Sequence, residues 1–219
     1  TNPLISIVIP TYEMKGQGVV FLERCLNSIA KQIDCDLGQV EVVISDQSQD
    51  QAIERFCSLQ NHRFHLSYKR IKTGKGIATH NLNCAIKAAR GKYIKILFQD
   101  DLLVEEHYLE ILIQELSKSN AQCILTKASH TQDGTAFFNP ITPKCNPYLL
   151  FGNNTVSSPS TITATKSLLE QLPFDEHLKL LFDCEFYYQL FEKCSKIVIL
   201  DQISIANGIW EGQAQHGIE

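Results

Sequence analysis

Two hydrophobic rhythms alternate along the chain. ISIVIP, Ile5 to Pro10, is a short continuous apolar run, the mark of a strand buried on both faces. From Phe21 the spacing changes, and Leu22, Cys25, Leu26, Ile29 and Ile33 recur at helical intervals. VEVVIS, Val40 to Ser45, predicts a second buried strand, and FHLSY, Phe64 to Tyr68, a weaker third. Ala78 to Ala89 predicts a helix with Leu82, Ala85, Ile86 and Ala89 on one face, stopped at Gly91. YIKILF returns to strand character, and Leu109, Leu112, Ile113 and Leu116 mark another helix. CILT, Cys123 to Thr126, continues the series. This alternation predicts an α/β fold with a mainly parallel central sheet flanked by helices.

The pattern loosens in the second half. Residues 133–160 are rich in Pro, Asn, Gly, Ser and Thr and predict a loop-dominated stretch. STITAT predicts a strand, KSLLEQLP a short helix ended by Pro173, EFYYQLFEKC a firmer helix and KIVIL a late strand. No repeat or low-complexity segment is present. One domain over residues 1–219 is expected: a nucleotide-binding half, residues 1–120, and a loop-rich half, residues 121–219, that completes the sheet and receives a second substrate.

Composition narrows the classes. A hydrophobic fraction of 44% is ordinary for a globular core, and a net charge of −4 carries no basic footprint for nucleic acid. The 8 cysteines form no CxxC pair and several sit in apolar patterns, so they read as buried free thiols of a reducing compartment. No ligand spacing supports zinc. No apolar run reaches the ~18 residues of a membrane span, and no signal peptide is visible. The chain opens on Thr1, as a trimmed chain or an excised domain would.

Parallel sheets gather ligands at the carboxyl ends of their strands. Pro10, Thr11, Tyr12 and Glu13 follow the first strand, Ser45, Asp46, Gln47 and Ser48 the second, and Gln99, Asp100 and Asp101 the YIKILF strand. Two adjacent carboxylates repel each other unless a cation joins them, and Mg²⁺ or Mn²⁺ commonly takes one or two carboxylates plus phosphate oxygens. The plainer reading is a helix start, with acids capping the helix that follows.

The order ISIVIPTYE, EVVISDQS, a glycine-containing loop and NLNCAI, then GKYIKILFQDD, resembles glycosyltransferase family 2. The likeness runs on through SSPSTITAT, FDEHL and FDCEFYYQL. That resemblance implies the GT-A fold and transfer of a sugar, with inversion, from a nucleoside-diphosphate donor (UDP-, GDP- or dTDP-linked). The acceptor would be a sugar or lipid-linked glycan, in surface polysaccharide or glycoconjugate assembly. It also implies a divalent metal, Mn²⁺ or Mg²⁺, and a cytoplasmic setting, with peripheral membrane association allowed.

On this resemblance Tyr12 stacks on the base, with Pro10, Thr11 and Glu13 beside it. Asp46 stands where the family often has two acids, and accepts from the base. Asp101 ligates the metal, while Asp100 meets the ribose or a metal-bound water. Gln99 replaces the first acid of the fuller motif. Lys75, in the KTGKG loop, and Asn83 lie near the donor, although KTGKG is no Walker motif. Asn81 and Asn83 are two apart on a helix, so at most one faces the site. Asp183 matches the family's general base, with Glu185 as the alternate, and the plainer reading of Asp183 is an N-cap. Ser160, in the turn Ser158-Pro159-Ser160, and Trp210 fall on the acceptor side. His216 is a candidate second metal ligand. Two other classes remain open: a sugar-phosphate nucleotidyltransferase, whose arginine-rich loop PTYEMKGQG lacks, and a non-catalytic nucleotide-sugar-binding module.

Overall fold

The computed structural model describes residues 2–213. Its first half is a parallel ladder of β1 (Ile5–Thr11), β2 (Val40–Asp46), β3 (His65–Arg70) and β4 (Tyr93–Ile96), in the order β3-β2-β1-β4. Ile5 pairs with Val40 and Thr11 with Asp46, so β1 and β2 end level with each other. The connections carry α1 (Gly18–Ala30), α2 (Ala52–Ser58) and α3 (Ala78–Ala88). Successive side chains of a strand point to opposite faces, and this divides the core in two. Ile5, Ile7 and Ile9 pack with Leu22, Leu26 and Ile29 of α1 on one face. Val8 packs with Val43, Leu82 and Ile86 on the other. Both faces are covered, which is why these strands read as unbroken apolar runs.

The second half contains β5 (Leu102–Leu103), α4 (Tyr108–Ser119), β6 (Cys123–Thr131), β7 (Phe138–Ile141), β8 (Ile162–Thr165), α5 (Lys166–Gln171), α6 (Phe182–Lys193) and β9 (Ile197–Gly208). The sheet continues as β4-β8-β6-β9-β5, with β7 on β6. β8 enters antiparallel between β4 and β6, while β6 and β9 run parallel. The parallel character expected for the sheet therefore holds up to β4, and a mixed arrangement follows.

The loop-dominated stretch holds β7 and two 3-10 turns, Pro147–Phe151 and Pro159–Thr161. Each turn starts on proline, and a side-chain oxygen of Asn146 or Ser158 caps it. β9 outruns the apolar segment KIVIL because Asp201 and Gln202 bulge out between Leu200, opposite Thr126, and Ile203, opposite Lys127.

β5 pairs with β9, which carries the end of β9 back to the Asp100-Asp101 tip. Gly208 is needed there: a Cβ at this position would lie 2.2 Å from the Asp100 carbonyl oxygen. No described helix is long and apolar enough to cross a membrane. All eight cysteines are free thiols, with Cys25, Cys57, Cys123 and Cys184 buried.

Candidate active site

The level ends of β1 and β2 form one wall. Thr11 and Asp46 are fully buried there. Asp46 Oδ1 accepts from the Ser48 amide (2.9 Å) and hydroxyl (2.6 Å), and Oδ2 accepts from the Tyr68 hydroxyl at 2.7 Å. The carboxylate is thus enclosed by protein donors and organises the wall rather than opening to solvent. Burial, then the bond to Asp46, pushes the Tyr68 hydroxyl well up.

Tyr12 differs: 44% of it is exposed, a free aromatic at the rim. Its amide donates to Gln99 Oε1 at 3.0 Å, and Gln99 Nε2 donates to the Gly18 carbonyl at 2.6 Å. Gln99 is buried and braces the Tyr12 loop, so the structure gives it a positioning task in place of direct donor contact. Half-buried Glu13 accepts from the Gln49 amide at 3.2 Å and ties the first two tips together.

Asp100 and Asp101 stand next in line. Asp101 is 3% exposed, and its oxygens accept from the Gly208 amide and the Ser158 hydroxyl, each at 2.9 Å. Asp100 Oδ2 accepts from Trp210 Nε1 (3.2 Å) and Gln213 Nε2 (3.1 Å). Trp210 also packs on Phe21, centroids 5.4 Å apart. It therefore sits against Asp100 of the acidic tip. Burial pushes both carboxyls up, and the charge of Asp100 adds to the effect at Asp101.

Two carboxylates suit a hard cation that completes its shell with phosphate oxygens and water. Among the described residues no third ligand converges on this tip. The one group of three converging His and carboxylate atoms, Asp34, His107 and Glu110, lies beside the amino ends of β1 and β2. His216, the other metal candidate, lies outside the described residues.

Behind the pair lies Lys95, fully buried on β4. Its ammonium donates to the Ser160 carbonyl and lies 3.5 Å from the Ile162 carbonyl oxygen. Burial lowers its pKa, and the charge of Asp101 opposes that shift. Ser160 is also fully buried, and its hydroxyl accepts from the Phe98 amide at 2.8 Å. The expectation that Ser160 meets an acceptor therefore fails: its groups are spent on holding the turn to β4. Half-buried Ser158, two residues earlier, is the hydroxyl that reaches Asp101.

α6 brings Asp183 to the same region. The residue before the helix, Leu181, has φ +59° and serves as N-cap without a side-chain bond. Asp183 lies inside the first turn, so its N-cap reading is corrected. Its Oδ1 accepts from the Cys184 amide (2.8 Å) and its Oδ2 from Asn154 Nδ2 (2.6 Å). Asn154 Nδ2 also donates to the Ser157 carbonyl (2.9 Å), and the Ser157 hydroxyl accepts from Asn207 Nδ2 (2.6 Å). Ser158 Oγ stands 3.0 Å from Asn207 Oδ1 and 2.9 Å from Asp101 Oδ2. A continuous polar chain thus joins Asp183 to Asp101. At its centre Ser157 has φ +115°, a conformation that costs about 1–3 kcal/mol and persists only where neighbours enforce it. Glu185 is outside this chain: Oε1 accepts from Gln189 one turn on, and Oε2 is buried without a hydrogen-bond partner among the described residues.

Two further expectations change. Asn83 faces away from the strand tips. It exchanges bonds with the Phe174 backbone (2.9 and 3.1 Å) and donates to Glu176 at 3.0 Å, pinning the 174–176 segment to α3. Asn81 is the residue at the tips: Nδ2 donates to the Thr11 carbonyl at 3.0 Å, and Oδ1 accepts from the Ser45 hydroxyl at 2.6 Å. Lys75 is exposed. Its loop is drawn to the β2 tip by Gln47, which donates to the Thr73 and Gly74 carbonyls (3.0 and 2.7 Å). The pattern reading missed Asn81, Lys95, Asn154, Ser158 and Asn207 as members of this region. The helical two-residue offset of Asn81 and Asn83 was the local signal for Asn81, and the turn Ser158-Pro159-Ser160 the one for Ser158.

Known proteins resemble this chain in sequence and in fold. Glycosyltransferase GlyG of Streptococcus pneumoniae is 28% identical over 127 residues, covering 57% of this chain and 38% of that protein. The poly(ribitol-phosphate) β-N-acetylglucosaminyltransferase TarS of Staphylococcus aureus is 26% identical over 129 residues, covering 53% of this chain and 22% of that one. The chain thus spans well under half the length of these relatives.

The fold matches the crystal structure of S. aureus TarS 1-349 in complex with UDP-GlcNAc, at TM-score 0.77 and 24% identity, over 98% of this chain and 61% of that one. It also matches the mannosyltransferase PcManGT from Pyrobaculum calidifontis in complex with GDP-Man and Mn²⁺, at TM-score 0.66 and 17% identity, over 96% and 58%. These likenesses carry the GT-A fold. The family model for glycosyl transferase family 2 matches residues 6–191, from β1 through nearly all of α6 and so across both walls of the site. With Tyr12, the acidic tip and Asp183 all inside that span, the chain belongs to glycosyl transferase family 2.

Proposed function

We propose that this chain is the catalytic part of an inverting glycosyltransferase that moves a sugar from a nucleoside-diphosphate donor to an acceptor hydroxyl. The observation that carries the reading is the polar chain that links the Asp183 carboxylate to the acidic tip at Asp101. Tyr12, free at the rim, stacks on the nucleobase, and the buried Thr11–Asp46–Asn81 wall braces the strand tips beneath it. Asp183 accepts the proton of the acceptor hydroxyl as that oxygen bonds to the anomeric carbon. The bond from that carbon to the diphosphate breaks on the opposite face, so the configuration inverts.

Asp101 with Asp100 would hold Mn²⁺ or Mg²⁺. The ion would neutralise the leaving diphosphate. UDP-linked sugars are the first donors to test, because the TarS structures hold UDP and UDP-GlcNAc. A polyol-phosphate polymer is the first acceptor to test, because the relative TarS is a poly(ribitol-phosphate) β-N-acetylglucosaminyltransferase. Exposed Tyr148, Leu150, Phe151 and Leu181 lie near the entrance of α6 and offer an apolar surface for the acceptor or its lipid carrier. A cytoplasmic location suits such donors.

Asp183→Asn tests the assignment. The amide keeps the size and one acceptor oxygen but cannot take the proton. Single-turnover transfer from UDP-GlcNAc, beside UDP affinity by calorimetry, should show turnover lower by roughly 10²-fold or more with affinity unchanged. Near-parent turnover in Asp183→Asn together with a dead Glu185→Gln would move the base to Glu185. Donor binding without transfer or hydrolysis in the parent would favour a binding module.

A further inference from the structure

His80 stands near the start of α3, where three stretches of chain meet. Its Nδ1 lies 2.8 Å from Glu176 Oε2, and its Nε2 lies 2.9 Å from Thr73 Oγ1. A carboxylate only accepts, so Nδ1–H donates to Glu176, and Nε2 of the neutral ring then accepts from the Thr73 hydroxyl. One ring thus fills both of its hydrogen-bonding positions with partners from distant parts of the chain. The loop before α3 also lies against the ring. Gly74 has φ +60°, and a Cβ there would come within 2.3 Å of His80 Cδ2.

Each partner leads to one side of the site. Gln47, whose amide donates to the Thr11 carbonyl at 3.0 Å, holds the Thr73 and Gly74 carbonyls, so the loop is fixed to the strand tips next to Tyr12. On the other side, Glu176 Oε1 accepts from Asn83, which also holds the Phe174 backbone. Phe174 stacks on Phe186, centroids 4.1 Å apart, and meets Phe182 edge-on at 6.3 Å. Phe182 and Phe186 flank Asp183 in the first turns of α6. Asn83 ties the 174–176 segment to α3, and His80 is the side chain that touches both that segment and the 73–76 loop. Its ion pair with Glu176 is part-exposed, and such pairs contribute little to stability, so what the bond supplies is position.

We infer that His80 is a positioning residue of the proposed transfer reaction: it locks the 73–76 loop to the 174–176 segment, so that a nucleotide seated at the strand tips also steadies the entrance to α6 and with it Asp183. The inference rests on the nucleotide-sugar reading above and adds a second link between the two halves of the site, separate from the polar chain through Ser157 and Ser158.

The test follows exchange of backbone amides with deuterium, which reads the local opening of each segment. Peptides covering residues 72–78 and 174–183 are compared by mass spectrometry with and without saturating UDP (GDP if UDP does not bind). The proteins are the parent, His80→Ala, Glu176→Ala and the double variant. In the parent the nucleotide should slow exchange in both segments. In His80→Ala the nucleotide affinity by calorimetry should stay within about threefold of the parent, while the slowing at 174–183 falls by at least about fivefold, the low end of ordinary coupling between sites. The 72–78 segment should still be protected. Glu176→Ala should lose the same signal, and the double variant no more than either single variant, since all three break one link.

Equal protection of 174–183 in the parent and in His80→Ala overturns the inference, and so does a nucleotide that fails to protect both segments in the parent. Loss of nucleotide affinity together with protection at both segments would make His80 a mere support of the loop, which also overturns it. Should His80→Ala fail to fold, Glu176→Ala decides from the other side of the bond. These results leave the glycosyltransferase reading standing. A parent that binds neither UDP nor GDP overturns the nucleotide-sugar reading, and the role of His80 with it.

Discussion

Replacing Asp101 by Asn should stabilise the metal-free protein while weakening metal-dependent donor binding. Asp101 is 3% exposed and next in sequence to Asp100, so its negative charge is unfavourable twice over: burial opposes it and a like charge faces it. Two unit charges about 6 Å apart repel by about 3 kcal/mol at an effective dielectric near 20. Lys95 and the Ser158 and Gly208 donors recover part of this. A net gain of about 2 kcal/mol on removing the charge is therefore reasonable. The amide keeps the local geometry, because its oxygen accepts from Gly208 while its nitrogen donates to Ser158 Oγ, which then points at Asn207.

For a chain of 219 residues, 2 kcal/mol corresponds to a rise of about 4–8 °C in Tm. The sign with pH is set by the raised carboxyl. In the parent its contribution is most favourable below the ordinary value of 3.8 and is lost as pH rises through the folded value. The gap between variant and parent should be small near pH 4 and widen through neutrality. Differential scanning calorimetry in EDTA from pH 4 to 8 measures it. Adding Mn²⁺ should raise the parent's Tm and leave the variant's nearly still, since the ion binds only the intact pair. A gap that does not change with pH, or a variant less stable than the parent at pH 8, would refute the electrostatic account of the tip.

Tyr12→Ala should weaken free UDP and the complete donor alike, by about 1–3 kcal/mol, the scale of base–aromatic stacking. Calorimetric titration with both ligands checks this, and a loss confined to the sugar-bearing donor would place Tyr12 elsewhere. Glu41→Gln should destabilise the fold by about 2 kcal/mol, because the buried carboxylate accepts from Ser6 Oγ, the Arg90 amide (2.9 Å) and Arg90 Nε (2.7 Å). Burial pushes the Glu41 carboxyl up, but these bonds outweigh it and leave it below its ordinary value of 4.5. Its stabilising contribution is therefore present above that value and lost as pH falls through the folded value. Urea unfolding at pH 7 and pH 3 should show the parent–variant difference shrinking at the lower pH.

Local pattern was enough to locate the strands and helices of the first half. β1, β2 and β4 are buried on both faces, so each is an uninterrupted apolar run, and α1, α3 and α4 each show one apolar face. Parallel strands bring their carboxyl ends to one edge, which places Tyr12, Asp46 and Asp100-Asp101 together.

Side-chain direction and long-range pairing were not local matters. Asn81 rather than Asn83 meets the tips because α3 packs with Leu82 and Ile86 inward, a rotation that depends on which sheet face the helix covers. Ser160 and Gln99 look like ligand residues in sequence and become braces, since burial obliges their polar atoms to pair inside the protein. The pairing of β8 with β4, and of β5 with β9, joins segments about 70 to 100 residues apart, and no local rhythm encodes a contact over that distance. Those two pairings place Ser158 and Gly208 on Asp101, bring Asn207 to Ser158, and set Lys95 against the Ser160 carbonyl. The residue types of the acidic tip were therefore legible in the chain, whereas its charge balance and its link to Asp183 exist only once the second half of the sheet has closed on the first.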